Sequence, residues 1–430
     1  MRPVIPLGIA MNGCGEMPVW SGARYYTYCG MALAVCYIGV GMGPGILLDK
    51  SPFQKCPRVL LPELFRHYSL VVPPILLKEV LEDHAESPQR FFALAKRLDF
   101  MDLAINVGFQ RMLRGDLMGC AVPMDGRPCV EGATISTAEG LLRVLREAPE
   151  AEALHRWQNG EISGEECEAA VRWQKAADTF DMEAFKAHVR TTAEGLPKFR
   201  KNEGDTIADV AGFVDKLLAV SNQAQLRELS LVEFGEEFRA RVRERWAREK
   251  PESLRAFAPY AHFCLRLRYV FAFGLANGYL STHHNSLLDL EYLYYLPFCH
   301  IFCSDDKKLH NVLQHVLLRA DQTFLEYATL EKALKETWFF FGQLPDGGMK
   351  KWLETKGHYP PRGSLVTREM YNRHWKVPGG GERNLAKKLP KELVDAVGRK
   401  VRAARAELGE RVPHRLTVSD PSEPVGVEGR

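Results

Sequence analysis

The chain has 430 residues, 46% of them hydrophobic and 26% charged, with 57 Lys plus Arg against 54 Asp plus Glu. These proportions exclude a disordered chain and leave room for two or three domains with a sizeable core. A net charge of +3 excludes bulk attraction to a polyanion, so any contact with phosphates rests on a local patch. Ten cysteines without a Cys-x-x-Cys pair exclude a small disulfide scaffold, and buried thiols in a reducing cytoplasm are the expectation. Cys299 and Cys303 bracket an apolar run, but no second pair stands nearby to complete a zinc site.

Residues 1–44 form a leader with three readings. Gly30 to Leu48 carries no charge and approaches the length of a membrane span, yet it holds five glycines and one proline. The start of the chain also lacks the basic residues and small-residue cleavage site of a secretory signal. A disordered leader, or translation that begins at Met42, is favoured over a membrane anchor. Ile46-Leu47-Leu48 then reads as a buried strand with Asp49 at its C-terminal tip, broken by Lys50-Ser51-Pro52. Leu60 to Tyr68 has helical spacing, and Leu70-Val71-Val72 is a brief strand stopped by Pro73-Pro74. Ile75 to Asp83 is a helix opened by proline, and Pro88 starts another helical stretch that runs to about Leu113.

From Gly119 to Gly132, Pro123, Asp125-Gly126 and Pro128 mark a loop. Ser136 to about Trp246 is rich in Ala, Glu, Arg, Leu and Trp with almost no β-branched alternation, which predicts a group of amphipathic helices. Ser253 to Leu280 predicts a more apolar helix. His283 to Leu296 predicts a helix stopped by Pro297, Cys299 to Cys303 a short strand, and Leu309 to Leu318 a further helix. Strands interleaved with helices predict a parallel α/β core. From about Pro345 a tail begins, with Gly347-Gly348, Pro360-Pro361, Gly379-Gly380-Gly381, a basic helix around Lys387 to Arg405 and a disordered end. That basic helix either faces phosphates or is simply solvated.

Four acidic positions share one property: an α/β core places each at the rim of its sheet. Asp49 ends the first strand. Glu79 and Asp83 are four apart and so lie on one helix face. Asp289 lies in the helix leading to the last expected strand, and Asp306, with Asp305 beside it, follows that strand. Ligand crevices in open parallel sheets lie outside the carboxyl ends of the strands, so Asp49 and Asp306 are expected to converge there. Clustered carboxylates repel unless a cation neutralises them. Hard oxygen donors select Mg²⁺ or Mn²⁺, ions suited to phosphodiester hydrolysis without a covalent intermediate. Singly, each acid has a plainer role: a turn at Asp49-Lys50-Ser51, a solvated face at Glu79 and Asp83, a His or Lys partner for Asp289, a helix cap at Asp305-Asp306. Their joint occurrence around one sheet favours the shared site.

The stretches ILLDKSPFQ, SLVVPPILLKEVLEDH and SLLDLEYLYYLPFCHIFCSDDKKLH together resemble PIN-like domains. The resemblance covers roughly residues 45–115 and 260–320 and rests on the order of short motifs. It implies a PIN-like parallel sheet flanked by helices, with Asp49, Glu79, Asp289 and Asp306 as metal-binding catalytic carboxylates for Mg²⁺ or Mn²⁺. Ser304 is then the hydroxyl before the last acid, and Asp83, Asp305, Lys50 and Ser51 are auxiliary. The implied activity is a metal-dependent endoribonuclease acting on RNA, single-stranded RNA included, with DNA and a homo-oligomer left open and a membrane partner not expected. Lys50-Ser51 departs from the family's usual Thr-Asn, and Lys50 either offsets charge or weakens metal binding, which leaves a catalytically inactive nucleic-acid or protein binding module as the alternative. The gap between the second and third acids is longer than such a core needs. Residues 45–118 and 251–344 are accordingly the two parts of the PIN-like domain, 119–250 a large α-helical insertion serving as lid or partner surface, and 345–430 the tail.

Other patterns carry less. His283, His284, His300, His310 and His315 crowd one region without metal-ligand spacing, and structural or supporting roles are expected of them. Tyr292, Tyr294 and Tyr295 suit a core-facing stripe better than base stacking. Gly41-x-Gly43-x-Gly45 precedes a strand instead of following one, and neither a phosphate-binding loop nor a serine nucleophile elbow is present.

Overall fold

The computed structural model describes residues 43–374 apart from 99–104, 130–131, 138–139, 146–148, 193–198, 200–203, 282, 284–285, 350 and 353–358. The chain divides into two units, residues 1–375 and 376–430. The leader, the start at Met42 and the basic segment Lys387 to Arg405 lie outside the described residues.

In chain order the strands are β1 (Gly45–Leu48), β2 (Ser69–Val71), β3 (Gly132–Thr137), β4 (Gly140–Leu145), β5 (Ile301–Cys303) and β6 (Thr323–Leu325). Four of them make an all-parallel sheet in the order β2-β1-β5-β6. Parallel strands are covered on both faces and read as continuous apolar runs. Ile46, Leu47, Leu48, Ile301, Phe302 and Cys303 accordingly have at most 1% of their surface exposed. The chain moves from β1 outward to β2, then crosses back over to β5 and continues outward to β6. The sheet's topological switch point therefore falls between β1 and β5, where open α/β sheets leave a crevice at the strands' carboxyl ends.

Helices cover this sheet. Pro74–Glu86, with proline at its first turn, packs on Pro88–Ala95, Gly164–Asp178 and Ser286–Leu293. Pro259–Ala276 buries residues all around its circumference because it packs on Phe109–Leu117, Met182–Thr192, Ile207–Val220 and Leu254–Phe257. Helices from residues 149–249 thus contribute to the same apolar cluster as the sheet, through Trp157, Val214 and Val242 beside Ile46 and Phe302. Among the described residues no helix is long and apolar enough to cross a membrane, and the uncharged Gly30–Leu48 run ends in the buried strand β1.

Five local expectations are corrected. The stretch from Pro88 to Leu113 is not one helix: Ile105 makes a parallel bridge to Val72, and a new helix starts at Phe109. Part of the expected helical region is the antiparallel hairpin β3-β4, Thr137 pairing with Gly140, in keeping with the β-branched Thr134, Ile135 and Thr137. The helix before the last acid ends at Leu293, and Pro297 sits inside a 3-10 turn, Leu296–Phe298, where its missing N–H costs nothing. An unexpected fourth parallel strand, β6, lies beside β5. The start of the tail is also folded: Leu365–His374 packs on Tyr327–Gly342 and buries Met370 and Tyr371.

Candidate functional site

The register of the sheet assembles the first two groups. Leu48 pairs with Cys303, so Asp49 and Ser304 leave neighbouring strands side by side. The Asp49 N–H donates to the Cys303 carbonyl at 3.1 Å, and the Ser304 N–H to that of Leu325 at 3.3 Å. From there the Ser304 hydroxyl donates to Asp49 Oδ2 at 2.9 Å. Asp49 precedes the helix Lys50–Lys55 but makes no side-chain cap bond to it. Its carboxylate, 7% exposed, is thus not consumed as a cap.

Glu79 comes from Pro74–Glu86 and Asp289 from the first turn of Ser286–Leu293. The Lys78–Glu291 ion pair at 3.2 Å ties these two helices together. Tyr292, three residues past Asp289 and on the same helix face, donates its hydroxyl hydrogen to Glu79 Oε2. Burial pushes Glu79 up to about 8; Lys50 opposes the rise and Asp49 adds to it. Asp289 is likewise raised to about 8, by burial first and then by Asp49, Asp306 and Glu79. Asp289 thus feels Asp49, Asp306 and Glu79, and Glu79 feels Asp49. Among the described residues, the Asp289 carboxylate meets no cation and no hydrogen-bond donor.

The remaining acids are engaged. Asp306 Oδ1 accepts the Lys308 N–H at 2.9 Å, and Oδ2 accepts those of Leu309 and His310, both at 2.8 Å. Burial acts to raise Asp306, but the His310, Lys308 and Leu309 amides outweigh it and hold the group below the usual carboxylate range. Asp306 therefore serves as the cap of the turn that follows β5, the plainer of its two roles, while remaining in electrostatic reach of Asp289. Asp83 pairs with Lys50 at 3.4 Å and Arg90 at 3.7 Å and accepts a hydrogen bond from Gln54 Nε2 at 3.1 Å. Asp305 pairs with Lys55 at 2.7 Å and accepts the Tyr327 N–H at 3.2 Å. No contact among the described residues joins Ser51 to them.

Two supporting residues join the acids, one of them beyond the reach of local spacing. Tyr292 is buried, as a core-facing stripe requires, but its hydroxyl reaches an acid 213 positions earlier in the chain. His310 lies four residues past Asp306 and is fully buried against Ser304. That four-residue step is the signal that marks it.

The donor chemistry suits a hard divalent cation: acidic oxygens, one of them uncompensated. Among the described residues, however, no three His, Cys, Asp or Glu side chains stand close enough together to hold one ion. The Asp306 oxygens are held by backbone amides. The cysteines described, among them Cys299 and Cys303, are free thiols and burial pushes the Cys299 thiol up to about 12, which removes it as a thiolate ligand. No family model, curated protein or solved structure matches the chain.

Proposed function

We propose that this chain is a PIN-like, Mg²⁺- or Mn²⁺-dependent endonuclease acting on RNA. The observation that carries the reading is Asp289: a carboxylate that meets no cation among the described residues and is driven up to about 8 by burial and three neighbouring acids. Carboxylates raised by desolvation and by like-charged neighbours are candidates for a functional site. On this reading Asp49, Glu79 and Asp289 are the acids assigned to the ion, with Asp306 in its capped turn beside them; among the described residues no three of them close on one point, so binding would require them to draw together. When bound, the ion supplies charge neutralisation at the phosphate and a water acidic enough to attack. The chain's own contribution is placement. Ser304 fixes Asp49, Tyr292 fixes Glu79, and Lys50 offsets the acids on the Asp83 side without reaching Asp289.

A second reading has its own observation: Asp306 spends its oxygens on backbone amides, and no three acids close on one point. On that reading the fold is kept as a catalytically silent nucleic-acid or protein binding module. The full chain incubated with single-stranded RNA and Mn²⁺ should cut it, and chelation should stop the cutting; a single-stranded DNA arm reads sugar selectivity. Asp49→Asn and Asp289→Asn are each expected to lower the rate by more than about 100-fold, beyond the loss typical of outer-sphere partners. Asp306→Asn is a weaker test because an amide oxygen preserves part of the cap. Cleavage that survives both of the first two changes removes the acids from the mechanism. Absence of Asp49-dependent Mn²⁺ binding by calorimetry favours the silent module.

A further inference from the structure

Large apolar side chains gather in the open at one place on the surface. Val59, Trp338 and Phe339 are 52%, 46% and 60% exposed, and with Pro57, Leu60 and Lys335 they line a groove of about 310 Å³. Single exposed apolar residues are ordinary, whereas a contiguous patch marks a contact surface. Both rings leave the helix Tyr327–Gly342, whose other face is turned to the core through Leu330, Leu334 and Phe341. The opposite wall is the 3-10 turn Arg58–Leu60, which packs on that helix. Both walls lead back to the carboxyl ends of the parallel strands. The turn follows the helix Lys50–Lys55, which starts directly after Asp49. The Lys55 ammonium meets Asp305 at 2.7 Å, and the Tyr327 N–H donates to the same carboxylate at 3.2 Å. At about 1.5 Å of rise per residue, Phe339 stands about 18 Å along its helix from Tyr327.

The chemistry of the lining narrows the guest. Among the described residues that form it, only Lys335 has a polar side chain, so the groove offers no array of donors and acceptors for an extended peptide. Its surroundings are cationic: Arg58 adjoins Val59, and Lys332 and Lys335 stand on the ring-bearing helix, against Glu331 and Glu336 as the acids there. Lys335 pairs with Glu331 at 2.8 Å with its own side chain 59% exposed, and exposed pairs are weak enough to yield to a phosphate. Aromatic faces beside cations, without hydrogen-bond readout, are what binds single-stranded nucleic acid irrespective of its sequence. A second copy fits less well, because a two-fold contact through the groove sets Lys335 against its own mate.

We propose that Trp338 and Phe339 are a stacking platform for the bases of single-stranded RNA, with Arg58, Lys332 and Lys335 facing its phosphates. The inference rests on the part of the nuclease reading that takes RNA as the ligand, and adds to it a binding surface outside the acid centre. Binding there requires no metal ion. It draws on ring faces for the bases and on exposed cations for the backbone.

The full chain is titrated, in a chelator, with a labelled oligouridylate of about 12 nucleotides and read by anisotropy and by tryptophan fluorescence. A stacked base should quench Trp338. Trp338→Phe should lose that signal yet keep affinity within about threefold, because a ring remains. Trp338→Ala and Phe339→Ala should each weaken binding by about 5–100-fold. An RNA duplex of the same length, whose bases are not free to stack, should bind the parent and both alanine variants alike. Lys332→Gln and Lys335→Gln should each lower the slope of log affinity against log salt by about 0.7. These side chains are exposed, so melting temperatures should move by less than about 3 °C. Alanine variants that bind the strand within about twofold of the parent, or a parent that binds none, overturn the proposal. A parent that sediments as a dimer and becomes a monomer on Trp338→Ala assigns the groove to a second copy and overturns it too. The nuclease reading is judged apart. A chain that stacks RNA on Trp338 but never cuts it sinks that reading alone, and one that cuts RNA with binding indifferent to both rings sinks this proposal alone.

Discussion

At the carboxyl ends of its parallel strands the chain gathers Asp49, Glu79, Asp289 and Asp306; around the amino ends it gathers His300, His374, Arg127 and Arg319, with Asp321 among them. The second group is settled by partners. His300 Nδ1 accepts the Gly45 N–H at 3.0 Å, His374 meets Thr323 Oγ1 at 2.9 Å, and Arg319 pairs with Asp321 at 2.9 Å. Burial, then His374, Arg127 and Arg319, push His300 down to about 4, and a neutral imidazole is what its bond to Gly45 requires. The acid end has no such settlement at Asp289. One end satisfies its polar groups as any stable edge does, while the other crowds carboxyl groups whose ionisation the fold opposes. That contrast, more than the acidity itself, points to a task at the carboxyl ends.

The two ends should also pull stability in opposite directions with pH. Asp289 rises from an ordinary 3.8 to about 8 in the fold, so the unfolded chain ionises first. Its cost to stability starts as pH passes the unfolded value and is complete only above the folded one. Glu79, also raised to about 8, and Asp116, raised to about 7 by burial, act with the same sign. Replacing Asp289 by Asn should therefore add about 2–4 kcal/mol at about pH 8.5 relative to about pH 5, in urea unfolding. Equal gains at both pH values would mean that Asp289 is not crowded by its neighbours and would dissolve the contrast.

How much of this could be read beforehand follows from the range over which each feature is encoded. β1 with Asp49 and β5 with Asp306 are local, a short apolar run ending in an acid, and the parallel core follows from their alternation with helices. β6 has only three residues, two of them half-buried, and leaves no alternation to detect. The hairpin β3-β4 hides in a segment whose composition is otherwise helical. Asp306 illustrates a deeper limit: an acid after a strand suits a cap and an ion equally, and only the three amides that converge on it tell them apart. The Tyr292–Glu79 bond depends on how Pro74–Glu86 and Ser286–Leu293 pack, which no spacing along the chain expresses. Even with coordinates, the four acids form an electrostatic neighbourhood and not a closed cage.

The amino end should resist change for steric reasons. Gly126 has φ +85°, and a Cβ there would lie 2.9 Å from Cδ2 and Nε2 of His300. Its N–H also donates to the Pro297 carbonyl at 3.0 Å, so the loop has little freedom to retreat. Gly126→Ala combines a left-handed backbone with a displaced imidazole and should cost about 1–3 kcal/mol, seen as a lower urea midpoint. Mn²⁺ affinity at the opposite end of the strands should stay within about twofold, because sites without shared partners respond independently. A parallel loss of Mn²⁺ binding would show the two ends to be one coupled unit.

His300 gives the smallest effect and the finest discrimination. Its ordinary 6.5 falls to about 4 in the fold, so as pH drops the unfolded chain takes up the proton first. The stability contributed by the neutral ring is whole at neutral pH and is lost as pH falls from the unfolded value through the folded one, the reverse of the Asp289 trend. His374 and His262, both lowered, add to the same slope. Asn at position 300 offers an oxygen near the place of Nδ1, able to accept the Gly45 N–H without ever ionising. His300→Asn should therefore keep about 1–2 kcal/mol that the parent loses between about pH 7 and about pH 5. Its stability maximum should move to lower pH, whereas that of Asp289→Asn moves to higher pH. Two maxima displaced in opposite directions require the opposite charges to sit apart in the same folded unit. A shared displacement would instead trace both slopes to residues elsewhere in the fold, Asp116 first among them.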